Sequence, residues 1–91
     1  SNGYLEITVL ITPKGNIHNN PIISFKGLPI YDSEDFIYGL EETIEKTSKT
    51  FNLGNKKQEH NMIDALKIAC RKFSKEKTGK KPFTNINLVR I

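Results

Sequence analysis

The chain has 91 residues, 36% of them apolar and 26% charged, with a formal net charge of +4. A chain this short buries only about 60–65% of its unfolded surface, so it forms one domain with a thin core and little material for a deep active-site cleft. The composition is that of a soluble globular domain, no apolar run approaches the roughly 18 residues of a membrane span, and no secretory signal is visible at the start.

The charge is unevenly spread. Residues 1–55 carry 4 basic and 7 acidic side chains, and residues 56–91 carry 10 basic and 3 acidic ones. A basic C-terminal half of this kind suits phosphate or an acidic partner, although a solvated helix face accounts for many such runs. The single cysteine, Cys70, cannot form an internal disulfide, which points to an intracellular, cytoplasmic setting. Ser1-Asn2-Gly3 has the look of a tag remnant. Residues 4–91 are then one domain, a C-terminal accessory domain cut from a larger protein that starts earlier.

Residues 4–12 alternate, with Leu5, Ile7, Val9 and Ile11 on one face and Glu6, Thr8, Leu10 and Thr12 on the other, the period of a β-strand. Pro13-Lys14-Gly15-Asn16 ends that strand in a turn. Ile22 to Lys26 is a short second strand, closed by Gly27 and Pro29. Asp32-Ser33-Glu34-Asp35 starts a helix: Asp32 or Ser33 caps the free amides, and the acids favour the positive end of the helix dipole. Phe36, Ile37, Leu40, Ile44 and Phe51 fall on one side of a 3.6-residue period, and Gly54-Asn55 is expected to end this helix. The wet side carries Glu41, Glu45 and Lys49, together with Tyr38.

A second helix begins near Glu59 to Asn61. Met62, Ile63, Leu66, Ala69, Cys70 and Phe73 form its apolar stripe, while Asp64, Lys67, Arg71, Lys72 and Lys75 face the other way, with Ile68 among the charges. Thr78-Gly79 and Pro82 stop it. Phe83 to Ile91 reads as a third strand, wet on the side of Asn85 and Asn87. The order strand–strand–helix–helix–strand describes a small α+β two-layer sandwich, a three-stranded sheet with two amphipathic helices on one face.

Chemistry-bearing residues do not converge in the sequence. Metal sites need several His, Cys or carboxylate ligands together. His18 falls in a turn, His60 at a helix start and Cys70 on the buried stripe, so no metal or cofactor is expected in this segment. His60 and Cys70 sit about 15 Å apart if both lie on one helix of 1.5 Å rise per residue, too far for a nucleophilic pair. Asp32, Glu34 and Asp35 are explained by capping. Lys77-Thr78-Gly79-Lys80-Lys81 lacks the phosphate-loop spacing and follows a helix instead of preceding one. No catalytic residue is expected. The one candidate contact for RNA or phosphate is the run Lys72, Lys75, Lys77, Lys80 and Lys81, with Phe83 nearby; backbone contact of this kind is sequence-independent.

The run Ala65-Leu66-Lys67-Ile68-Ala69-Cys70-Arg71-Lys72-Phe73-Ser74-Lys75-Glu76-Lys77-Thr78-Gly79-Lys80-Lys81-Pro82, followed by an apolar strand, resembles the terminus of bacterial ribonuclease J. Glu76 to Pro82 is its most specific part. Pro21 to Gly27 and Ser33-Glu34-Asp35-Phe36 resemble the strand and the helix start of the same domain. Leu28-Pro29 departs from an aromatic–aliphatic pair, Asn85 and Asn87 make the last strand more polar, and Arg90 stands where the family tends to carry an acid. The resemblance implies a parent enzyme with a metallo-β-lactamase domain and an inserted β-CASP domain, a zinc-dependent 5′-to-3′ exo- and endoribonuclease of RNA processing and decay whose metal motifs lie upstream. It implies that this domain is non-catalytic and supports oligomerisation and activity, with the catalytic module of the same chain, further copies of the parent, and RNA through the parent as partners, and no membrane. Leu10, Tyr38 and Ile68, apolar or aromatic residues on polar faces, are the interface candidates.

Overall fold

The computed structural model describes residues 2–91. Strand β1 (Tyr4–Ile11) is followed by β2 (Ile22–Lys26), helix α1 (Ser33–Ser48), a single 3₁₀ turn (Lys56–Gln58), helix α2 (Glu59–Thr78) and β3 (Phe83–Arg90). The sheet order is β2-β1-β3, with β1 antiparallel to β2 and parallel to β3. The α+β order read from the sequence is therefore the order of the fold.

The register converts the alternation of each strand into two different sheet faces. On the inner face, Leu5 stands between Phe25 and Thr84, Ile7 between Ile23 and Ile86, and Val9 beside Leu88. Leu5, Ile7, Val9 and Ile11 are completely buried. Both helices cover this face. Helix α1 contributes Phe36, Leu40 and Ile44, and α2 contributes Met62, Leu66 and Cys70. Phe36 meets Phe25 of β2 edge-on (5.5 Å between ring centroids) and Phe73 of α2 at 5.6 Å, joining sheet and helices through aromatic contacts.

Asp32 is the cap of α1, its Oδ1 accepting from the amide of Asp35 at 3.1 Å. The helix ends at Ser48, earlier than the Gly54-Asn55 stop expected from the sequence. Ser48 Oγ donates to the Glu45 carbonyl and Thr50 Oγ1 to that of Thr47, so local hydroxyls compete for the last turn. Phe51 keeps the helical spacing but packs against the core from the loop, partly buried. Asn52 Oδ1 then accepts from Gly54 N, and Asn55 Oδ1 accepts from Lys57 N to open the 3₁₀ turn, which the sequence pattern did not announce. Gly79, at φ 80°, terminates α2 in the left-handed conformation that favours glycine.

Two further ties close the domain. Arg90 pairs its Nε with the Glu59 carboxylate, and its Nη2 donates to the Leu53 carbonyl at 2.8 Å, fastening β3 to the helix connection. Gly3, at φ 83°, accepts at its carbonyl from Phe83 N at 3.0 Å, and a Cβ there would strike Leu28 and the Gly27 carbonyl.

One core group is poorly served. Ser74 is fully buried on α2, and its Oγ has no hydrogen-bond partner among the described residues. Ser74→Ala is expected to raise the unfolding free energy by about 1 kcal/mol, by removing a desolvated hydroxyl and improving helix propensity. A urea midpoint at or below that of the native sequence would contradict this.

Candidate functional site

Two surfaces stand out, and they meet at Phe83. The first is an open cleft of about 640 Å³ where the outer side of α2 meets the start of β3. Lys67, Ile68, Arg71, Lys81 and Phe83 line it. A neighbouring depression shares Ile68, Arg71 and Lys81, and adds Lys72 and Lys75. Helix geometry explains the grouping. Lys67, Arg71 and Lys75 repeat every four residues and so form one row, while Ile68 and Lys72 form the row beside it. The Gly79 cap and buried Pro82 then turn the chain back, so that Lys81 and Phe83 meet that row. Arg71 is held in place by its Nε, which donates to the Pro82 carbonyl at 3.2 Å. Lys75 Nζ donates to the Gly79 carbonyl at 3.0 Å.

This geometry sorts the five lysines singled out in the sequence. Lys81 lines the cleft, and Lys72, Lys75 and Lys81 line the depression beside it. Lys77 does not: two residues beyond Lys75, it points toward α1, with Nζ 4.0 Å from Asp35 and over the Phe73 ring at 5.9 Å. Lys80, at the turn, does not line either depression. Lys67 and Arg71 were read only as part of a polar face, yet both line the cleft. The four-residue spacing from Lys67 to Arg71 to Lys75 was the signal that could have found them.

The second surface is the outer face of the sheet, which no helix among the described residues covers. Its rows are Lys26–Tyr4–Phe83, Ser24–Glu6–Asn85, Ile22–Thr8–Asn87 and Leu10–Val89. Tyr4 and Phe83 stack at 5.6 Å with planes 19° apart. Ile22 and Phe83 are each 62% exposed, and Val89 is 42% exposed. The one acid of this face is engaged within it, because Glu6 Oε2 accepts from Tyr4 Oη at 2.9 Å and from Asn85 Nδ2 at 3.2 Å. The bond to Glu6 raises the Tyr4 phenol above its ordinary range, since losing the proton would break that bond beside a carboxylate.

The three interface candidates separate. Leu10 lies on the open face beside Val89 and is half-buried there. Tyr38, 61% exposed, belongs to α1, and Ile68, 71% exposed, belongs to the cleft.

The groups that could carry chemistry are dispersed. His60 pairs with Asp64 at 3.4 Å on the α2 surface, while His18 is exposed beyond the turn that follows β1. Cys70 is completely buried, and that burial pushes its thiol up to about 12. Among the described residues no three His, Cys, Asp or Glu side chains come together to hold a metal ion. No helix among them is long and apolar enough to cross a membrane.

No curated protein matches the sequence at a significant level. The family model described as the ribonuclease J C-terminal domain matches residues 1–91, the whole sequence, and by that match this β-β-α-α-β chain belongs to the ribonuclease J C-terminal domain family.

Proposed function

We propose that this chain is a non-catalytic accessory domain of a cytoplasmic, zinc-dependent ribonuclease, and that it assembles copies of the enzyme through the open face of its sheet. The family match supports the parent enzyme. The hydrolytic step and its zinc belong to a catalytic module outside these residues.

The observation that carries the assembly role is the character of the open face. Ile22, Val89, Leu10 and the Tyr4–Phe83 stack give it apolar area, and its one acid is already hydrogen-bonded within the face. Lys26 is the remaining charge, at the edge of its row. A second copy of the same face suits such a surface, since a two-fold contact brings like residues against like and tolerates few unpaired charges. These apolar groups flank a polar strip of Ser24, Glu6, Thr8, Asn85 and Asn87, and several of them on one face, unlike a single scattered one, mark an interaction surface.

The combined substitution Ile22→Glu and Val89→Glu tests this reading. Both side chains point away from the core, so the circular dichroism spectrum is expected to stay native. The self-association constant is expected to weaken by about 100-fold or more, as two apolar contacts are replaced by buried like charges. Unaltered assembly by sedimentation velocity would refute the open face as the contact.

A further inference from the structure

We infer that the cleft between α2 and the start of β3 is a contact site for single-stranded RNA, with backbone phosphates on Lys67, Arg71, Lys72 and Lys81 and an unpaired base against Phe83. This rests on the reading of the chain as part of a ribonuclease; Phe83 is shared with the open face, whereas the cations of the cleft lie outside it.

Charge is the first argument. Lys67, Arg71, Lys72, Lys75 and Lys81 line the two joined depressions, against the single acid Glu76. Among the described residues no carboxylate pairs with any of these five cations within 4.0 Å, although the same chain pairs Lys49 with Glu45 at 3.3 Å and Lys77 with Asp35 at 4.0 Å. Lys67, Arg71 and Lys75 are spaced four apart on one helix, where like charges destabilise it. A row that bears this cost unneutralised suits a polyanion that supplies the missing charge.

Shape and apolar surface are the second argument. An acidic protein segment would be satisfied by the cations alone. Here Phe83 and Ile68 line the same cleft, 62% and 71% exposed. Phe83 stacks on Tyr4 at 5.6 Å and still keeps most of its surface exposed. Basic groups beside an open aromatic ring form the pattern that holds single strands, because phosphates take the cations and any base has a π-face to stack. A duplex keeps its bases stacked on each other and gains nothing from the ring.

The test is fluorescence anisotropy of the full 91-residue chain with an unstructured, labelled oligoribonucleotide, titrated at several salt concentrations. Affinity is expected to fall steeply with salt, with a log–log slope of about −0.7 per phosphate held. The combined variant Lys67→Glu and Lys72→Glu, whose ammonium groups have no ion-pair partner among the described residues, is expected to weaken binding by at least about tenfold and to flatten the slope by about 1.4. Its assembly by light scattering is expected to be native, which separates failure here from failure of the open-face reading. The single strand is expected to bind more tightly than the same strand in a duplex, and to resist displacement by inorganic polyphosphate or polyglutamate of equal charge. Equal affinity for the duplex, equal competition by either polyanion, or undiminished RNA binding by the charge-reversed variant would overturn the inference.

Discussion

Gly39→Val is expected to lower the unfolding free energy by about 3 kcal/mol, and Gly39→Ala by about 1–2 kcal/mol, through overpacking of the interface between the helices. A Cβ at Gly39 would stand 2.3 Å from Cζ and 2.7 Å from Cε1 of Phe73. That ring is not free to swing away, since Phe36 lies 5.6 Å from it and the Lys77 ammonium sits over it at 5.9 Å. Either the ring moves into its neighbours or the helices separate above the sheet. The alanine variant is the more informative of the two. Helix propensity alone would make it more stable than glycine by up to about 1 kcal/mol, so packing and propensity predict opposite signs. A lower urea midpoint for Gly39→Ala, partly restored by adding Phe73→Leu, is the expected result. A raised midpoint would show that the ring yields at little cost.

The second large effect is alkaline. Burial pushes the Cys70 thiol from its ordinary 9.0 up to about 12, because the thiolate is poorly solvated among core side chains. The folded protein therefore keeps a proton that the unfolded chain loses. The stability contributed by the neutral thiol is complete below about pH 9, and is lost as pH rises through the window to about 12, amounting to about 4 kcal/mol over the full interval at 1.36 kcal/mol per unit. Urea unfolding from about pH 8 to about pH 11 is expected to show this decline, and Cys70→Ala is expected to flatten it relative to the native sequence, whatever its own starting stability. Identical pH slopes for the two proteins would place the loss on other groups.

The sequence was most legible where one periodicity dominated. Leu5, Ile7, Val9 and Ile11 alternate without interruption, and all four are buried. Met62, Leu66 and Cys70 repeat every four residues and form the floor of α2. The end of α1 was misread because Phe51 keeps the helical spacing although the chain has already turned at Ser48, where hydroxyl-to-carbonyl bonds end the helix without glycine or proline. Gly39 went unnoticed, although an isolated glycine within a helical pattern signals close packing.

The candidate surfaces were less legible, since each depends on pairing between distant segments. Proximity in sequence grouped Lys72 with Lys77, but the helical turn sends Lys77 toward Asp35 and brings Lys67 and Arg71 to the cleft instead. The open face exists because β3 pairs in parallel with β1, setting Phe83 beside Tyr4 and Val89 beside Leu10, a register that neither strand encodes alone. Leu10 was visible as an exception to its strand's alternation, while Ile22 and Val89 looked like ordinary strand residues until the sheet order placed them on the same uncovered side.

Light scattering of the 91-residue chain over a wide concentration range, at low and at high salt, tests the proposed role of the domain most directly. Contact through Ile22, Val89 and the Tyr4–Phe83 stack predicts a dimer or larger species that persists, or strengthens, at high salt, as apolar burial does when electrostatic attraction is screened. A monomer at every concentration and both salts would contradict assembly through the open sheet face.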